Sequence, residues 1–263
     1  MSGERFVLAM DTATAPGGVA IGTGTDVLVE VSLGIAQRHS ELLLPAIDFA
    51  MKAAGITFDD VDAILCGAGP GSFTGVRIAA ATAKGLAHVR ATPLYAYSSL
   101  LAAAAATAPA GGSVCALFDA RRGEAFAGCW KFRNGHAETL LAPTADDVAT
   151  IVTRLMSHDP VYVGTGAERN RARIEELGGR VARADAASGC AGALVRIHAL
   201  TSDAMPVDAA HWQPDYVRAP HVTVPRAMRH DSDAAARTSQ GGTRHAAAGA
   251  DGITARGSSG GAA

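Results

Sequence analysis

A repeated unit constrains this chain more than any other feature. Residues 5–22, "RFVLAMDTATAPGGVAIG", run as an apolar strand, an aspartate, a short turn with glycines and a second strand. Residues 113–130, "SVCALFDARRGEAFAGCW", repeat the plan, with Asp119 in the place of Asp11 and a turn through Gly123. More β-like sequence and then helix follow each copy. Strands such as "VDAILCGAG" and "PVYVGTG" alternate with helical stretches, which is the pattern of α/β layering. Two copies predict two similar halves, an N-terminal lobe over 1–107 and a C-terminal lobe over 108–218, divided near "ATAPAGGS". The fold class expected is α/β, with duplicated mixed-sheet domains and flanking helices.

The chain's 263 residues suffice for one large domain or two smaller ones. Beyond residue 219 the composition changes: no aromatic and no sustained apolar period occur in 219–263. Such a segment cannot bury enough surface to offset its ordering entropy, so a disordered tail is expected there. The net charge of −2 offers no polybasic surface for nucleic-acid phosphates. Cys66, Cys115, Cys129 and Cys190 are far apart with no CxxC pair, which predicts buried reduced thiols. The N-terminus lacks a signal-peptide layout, and no apolar run approaches the roughly 20 residues of a membrane span. A soluble, cytoplasmic protein is expected.

Helices are predicted over 39–55, 75–91, 98–106, 144–156, 168–178 and 189–202. Ser40 is a candidate cap and Gly55 a candidate stop for the first, and Thr144 a candidate cap for the fourth. The first helix, "HSELLLPAIDFAMKAAG", is apolar on too many sides. Glu41, Asp48 and Lys52 fall within roughly 40° of one another at about 100° per residue, and nearly everything else is apolar. Either Leu43, Ile47 and Met51 meet the sheet while Leu42, Pro45 and Phe49 face outward, or the reverse. Such a helix is buried in its own protein or pressed against a second one.

The stretch "GAGPGSFTGVRIAAATAKGLA" (67–87) opens like a phosphate loop, but each template fails at a particular residue. A Walker loop needs Lys and Ser/Thr where Val76 and Arg77 follow Gly75. A dinucleotide fingerprint needs glycine at Ser72, and a nucleophile elbow fails because glycine stands directly before Ser72 and threonine, not glycine, two residues after it. What remains is a strand end, a turn through Gly67, Gly69, Pro70 and Gly71, and a helix capped by Ser72 or Thr74. Along that helix Ala79, Ala83 and Ala87 recur every four residues, a small-residue strip that admits a second backbone closely. Arg77 and Lys84 share one edge, open to polar contacts.

Metal catalysis lacks converging ligands, since Leu43 stands four residues after His39. Asp11 and Asp119, with Gly164 and Gly166 in "VGTGAE", have the arrangement of a two-lobed nucleotide cleft. Yet "TAT" after Asp11 and Ala120–Arg121 after Asp119 stand where a backbone-to-phosphate approach wants glycine.

The segments "AMDTAT", "QRHSELLLP", "GAGPGSFTGVRIAAATAKGLA", "FDARRGEAF" and "QPDYVR" together resemble the TsaB (YeaZ) family of tRNA threonylcarbamoyladenosine biosynthesis, over residues 4 to 218. The resemblance implies a two-lobed actin/hexokinase-like (ASKHA, ribonuclease H-like) fold without catalysis of its own. It implies pairing with a TsaD-like catalytic paralogue, joined by a TsaE-like ATPase, for threonylcarbamoyl transfer to N6 of adenosine 37 in tRNAs reading A-starting codons. The paralogue's metal-binding histidine pair becomes His39 and Leu43 here. The family's interface is a bundle of the first two helices of each subunit, which falls on 39–55 and 75–91.

Leu42, Leu43, Pro45, Ile47, Phe49, Ala79, Ala83 and Ala87 are the expected interface carriers. Gly69, Gly71, Ser72, Thr74, Gly75 and Arg77 are expected to fix the loop. Asp11, Asp119, Gly164 and Gly166 remain as a vestigial cleft. The further expectations are no catalytic residues, no metal, and no firmly bound cofactor, with ATP or ADP held weakly or at the partner interface. Contact with tRNA is expected only through the complex, and a homodimer forms when the chain is alone. Two alternatives compete: an independent phosphotransferase or ATPase using Asp11 and Asp119, and a glycoprotease-like peptidase.

Overall fold

The apolar run Phe6–Asp11 forms β1 and is buried on both faces. It pairs antiparallel with β2 (Gly17–Thr23), which pairs with β3 (Asp26–Leu33). On its other side it pairs in parallel with β4 (Val61–Gly67), followed by β5 (Leu94–Tyr97), giving the order β3-β2-β1-β4-β5. This computed structural model describes residues 5–35, 38–107, 112–120, 123–133, 136–182, 190–201 and 203–217.

The second repeat builds the same sheet. Strands β6 (Gly112–Asp119), β7 (Glu124–Arg133) and β8 (His136–Asp147) form an antiparallel meander. Strands β9 (Val161–Val163) and β10 (Arg180–Val181) add in parallel beyond β6. The order β10-β9-β6-β7-β8 is the first sheet's order read in reverse, so β6 corresponds to β1 and β9 to β4. The duplicated α/β fold expected from the repeat, of the actin/hexokinase-like kind that the family resemblance implies, is therefore present.

The helices correspond as well. Between the third and fourth strands of each sheet stands α1 (His39–Ala54) or α4 (Val148–Leu155). Between the fourth and fifth stands α2 (Phe73–Arg90) or the pair α5 (Thr165–Arg169) and α6 (Arg171–Glu176). After the fifth come α3 (Ser99–Thr107) and α7 (Cys190–Leu200).

Strand alternation sorts the side chains into layers. Leu8 and Met10 of β1 face α1 and α2 in one apolar cluster. Val7 and Ala9 face a second cluster, which joins both sheets through α3 and α7. A third lies between the second sheet and α4, α5 and α6. The closing helices are exchanged: α3 packs on β6 and β7, while α7 packs on β1 and β2. All described residues belong to one compact unit, and half of the expected linker, 108–111, lies outside the described residues. The expected tail lies outside them too.

Local signals fixed some boundaries and lost others. Gly55 ends α1 in the left-handed conformation, and Ser72 caps α2 by accepting the Gly75 amide. Ser40 does not cap α1, which follows Arg38 without a side-chain cap bond. Thr144 is no cap either, because β8 extends to Asp147, whose carboxylate accepts the amides of Ala149 and Thr150. Cross-strand pairing with β7 outweighs a local cap at Thr144.

After α7 the chain returns over the first half. The Val207 amide donates to Leu94 O at the β5 edge, and the Asp215 amide to Ala68 O. Lys84 Nζ donates to Trp212 O at 2.9 Å and lies 3.4 Å from Ala210 O, so the polar contacts that Lys84 makes hold this strap.

Candidate partner-docking face

The outer layer of the first half is α1 beside α2, and both contribute to one cluster under them. On α1 the buried residues are His39, Leu43, Ala46, Ile47 and Ala50. On α2 they are Gly75, Val76, Ala79, Ala80, Ala83 and Ala87. Outward the pair presents exposed apolar side chains: Leu44 is 56% exposed, Phe49 60%, Phe73 43% and Val89 71%. Pro45 is also exposed. Two ion pairs share the α1 surface, Arg38–Glu41 at 2.9 Å and Lys52–Asp48 at 2.7 Å.

The expected interface set divides accordingly. Pro45 and Phe49 stand on the surface, and Leu42 is half-buried. Leu43, Ile47, Ala79, Ala83 and Ala87 are corrected to core residues of this chain. The alanine strip faces inward because its missing side-chain volume lets α2 settle against β4 and α1, where larger residues would be overpacked. Leu44, Phe73 and Val89, exposed on the same helices, were not in the expected set. The α1 signal was available: residues opposite the Glu41–Asp48–Lys52 arc go to the core, which selects Leu43, Ala46, Ile47 and Ala50.

The glycine loop is held by the β1 end rather than by a ligand. A Cβ on Gly75 would lie 2.0 Å from Thr12 O, and one on Gly71 2.3 Å from Ala13 O. Gly69 takes φ +92°. Its amide donates to Ser99 Oγ at 3.1 Å, and its carbonyl accepts the Ser99 amide at 2.8 Å. The Ser72 amide donates to Ala13 O, the Gly75 amide to Ser72 Oγ, and Thr12 Oγ1 to Gly75 O at 2.7 Å. These amides, which a phosphate cradle would need, are already used. Thr74 and Arg77 do not fix the loop: both are exposed, and the Arg77 guanidinium lies 4.9 Å from the Phe73 ring centre. Thr12 and Ser99 do that work instead.

The two cleft aspartates differ. Asp11 is buried, with Oδ1 accepting the Ala13 amide at 2.7 Å and Oδ2 left without a hydrogen-bond partner among the described residues. A Cβ on Gly67 would fall 2.2 Å from that Oδ2. Burial pushes the Asp11 carboxyl above the ordinary aspartate range, against the opposing pull of the Ala13 amide, the Ser99 hydroxyl and His39. His39 is itself buried and donates Nε2–H to Leu33 O at 3.2 Å. In the second half Asp119 is ion-paired with Arg169 of α5. Gly164, at φ +93°, and Gly166 bring α5 against the backbone of Leu117 and Phe118. All four cysteines are buried and unbridged. Among the described residues no helix is long and apolar enough to cross a membrane.

Comparison with known proteins agrees with this architecture. The family model described as TsaD, tRNA N6-adenosine threonylcarbamoyltransferase, matches residues 33–175. The tRNA threonylcarbamoyladenosine biosynthesis protein TsaB of Bacillus subtilis is 31% identical over 173 residues, covering 65% of this chain and 76% of the relative. Its Escherichia coli namesake is 33% identical over 165 residues, covering 61% and 71%. The solved structure of YeaZ from Pseudomonas aeruginosa superposes with a TM-score of 0.68 at 27% identity, covering 81% of this chain and 99% of that one.

Proposed function

Because the chain belongs to the TsaB (YeaZ) family, we propose that it is the docking subunit of a threonylcarbamoyl transferase acting on tRNA. Its partner is a TsaD-like catalytic paralogue, which it engages through the outward face of α1 and α2. A TsaE-like ATPase joins the pair, and adenosine 37 of tRNAs reading A-starting codons receives the group at N6. The chain itself contributes surface and no reacting group. Its tRNA contact runs through the complex, any ATP or ADP sits at the partner interface, and without the partner the same face closes a homodimer.

The observation that carries this reading is the set Leu44, Phe49, Phe73 and Val89, standing exposed on two adjacent helices whose inner faces are packed in the core. Fully burying such a side chain stabilises a complex by about 1.5–3 kcal/mol, so the set supplies a substantial part of an association energy. The loop amides of Gly69, Ser72 and Gly75, all bonded within the chain, and the Asp119–Arg169 ion pair argue for docking over independent nucleotide chemistry. Depleting the protein and quantifying threonylcarbamoyladenosine in tRNA tests the proposal. The modification should fall, and unchanged levels would refute the reading.

A further inference from the structure

The docking surface continues past the two helices at the N-terminal end of α2. Phe73, the first residue of α2, is 43% exposed, and Tyr216 of the returning strap is 38% exposed. Their ring centres lie 5.6 Å apart with planes tilted by 41°. Arg77, one turn further along α2, lies over the Phe73 ring, 4.9 Å from its centre. Three solvent-exposed side chains from two distant parts of the sequence thus make one apolar and cationic corner.

The strap that delivers Tyr216 is firmly seated. Asp215 donates its amide to Ala68 O, and Asp215 O limits the space at Gly69, where a Cβ would sit 3.2 Å away. Lys84 Nζ holds Trp212 O four residues before Tyr216. The ring is therefore pre-positioned, and little ordering entropy remains to be lost when a partner covers it. Charge specifies the occupant. Arg77 has no acidic partner among the described residues, and the first turn of α2 contains no acidic residue. Aromatic and arginine side chains are the commonest anchors of interfaces, and a guanidinium stacked on a ring keeps its N–H edge free for a carboxylate.

We propose that Phe73, Arg77 and Tyr216 form a second anchor of the docking face, which receives a carboxylate-bearing segment of the catalytic paralogue. The strap of residues 203–217 then belongs to the interface although its sequence lies far from both docking helices. This inference rests on the docking reading above.

Calorimetric titration of the full chain with the purified TsaD-like paralogue, at two salt concentrations, tests it. Arg77→Gln should weaken binding about fivefold and flatten the salt dependence, an effect that loss of packing alone does not produce. Tyr216→Ala should weaken it about tenfold, while Tyr216→Phe, which keeps the ring, binds as the wild type does. Phe49→Glu, on α1 and away from this corner, reports on the docking reading itself. If Phe49→Glu abolishes binding while Arg77→Gln and Tyr216→Ala leave affinity and salt dependence unchanged, the second anchor is overturned and the docking face stands. If Phe49→Glu binds normally, or the wild type does not bind, the docking reading falls and this inference with it.

Discussion

At the end of β1 the Asp11 carboxylate is buried against Gly67, whereas at the equivalent end of β6 Asp119 is met by Arg169 and remains partly exposed. Both halves press the turn after their fourth strand onto the end of their first, and both use glycines to do so. The first junction is much the tighter. Beside it, α1 presents Leu44 and Phe49 to solvent, while the corresponding α4 buries Val148, Ile151, Val152 and Leu155 and turns Thr150, Thr153 and Arg154 outward. One duplicated plan has thus yielded a helix that leaves Leu44 and Phe49 exposed in one half and a helix that turns Thr150, Thr153 and Arg154 outward in the other. The difference teaches that the glycine-rich loop is a structural clamp under the proposed docking surface.

The largest effect expected bears on the clamp. Gly75→Ala places a Cβ 2.0 Å from the Thr12 carbonyl oxygen and should cost more than about 3 kcal/mol or prevent folding. Gly166→Ala meets backbone atoms of Leu117 and Phe118 at 2.9 Å and should cost about 1–2 kcal/mol in denaturant unfolding. Equal losses would erase the contrast between the junctions.

Next in size is the contrast between the outer helices. Phe49→Glu should weaken paralogue binding by about 100-fold with little change in melting temperature, whereas Thr153→Glu on α4 should leave affinity unchanged. An Ala83→Arg change is a poor probe of the same surface, since Ala83 is fully buried and the substitution would unfold the chain before it reported on docking.

Asp11 allows a pH experiment with a definite sign. Its carboxyl titrates above the ordinary aspartate range in the folded chain, so between the unfolded and folded values the native state holds the extra proton. Stability therefore declines as pH rises through that window and levels off above the folded value. Asp11→Asn should flatten this part of a melting-temperature profile. A decline of the same depth in the variant would mean that another group causes it. The smallest effect is expected at the counterpart. Asp119→Asn should change stability by about 1 kcal/mol or less, because the Arg169 side chain is 68% exposed and solvent screens the pair.

The repeat was the most legible part of the sequence. Two strand–Asp–turn–strand units announced two sheets, and the sheets share one strand order because identical local plans face identical packing demands. The exchange of α3 and α7 was not legible, since which sheet a helix covers is decided by long-range packing that neither periodicity nor capping encodes. On α1 the polar arc of Glu41, Asp48 and Lys52 gave the direction of solvent. The apolar flanks then hid which residues remained outside once Leu43 and Ile47 had gone to the core. On α2 the alanine row looked like an interface because small residues suit any close approach, and a sheet uses them as readily as a partner does. The strap could not be placed from its own sequence: Tyr216 reaches Phe73 only through backbone bonds that tie the strap to Leu94 and Ala68.

Hydrogen exchange of the full chain, with and without the TsaD-like paralogue, tests the central claim most directly. Slowed exchange across His39–Ala54 and Phe73–Arg90, with Val148–Leu155 unchanged, is the result expected of a docking face confined to the first half. Protection confined to Val148–Leu155, or none in either half despite saturating partner, would contradict it.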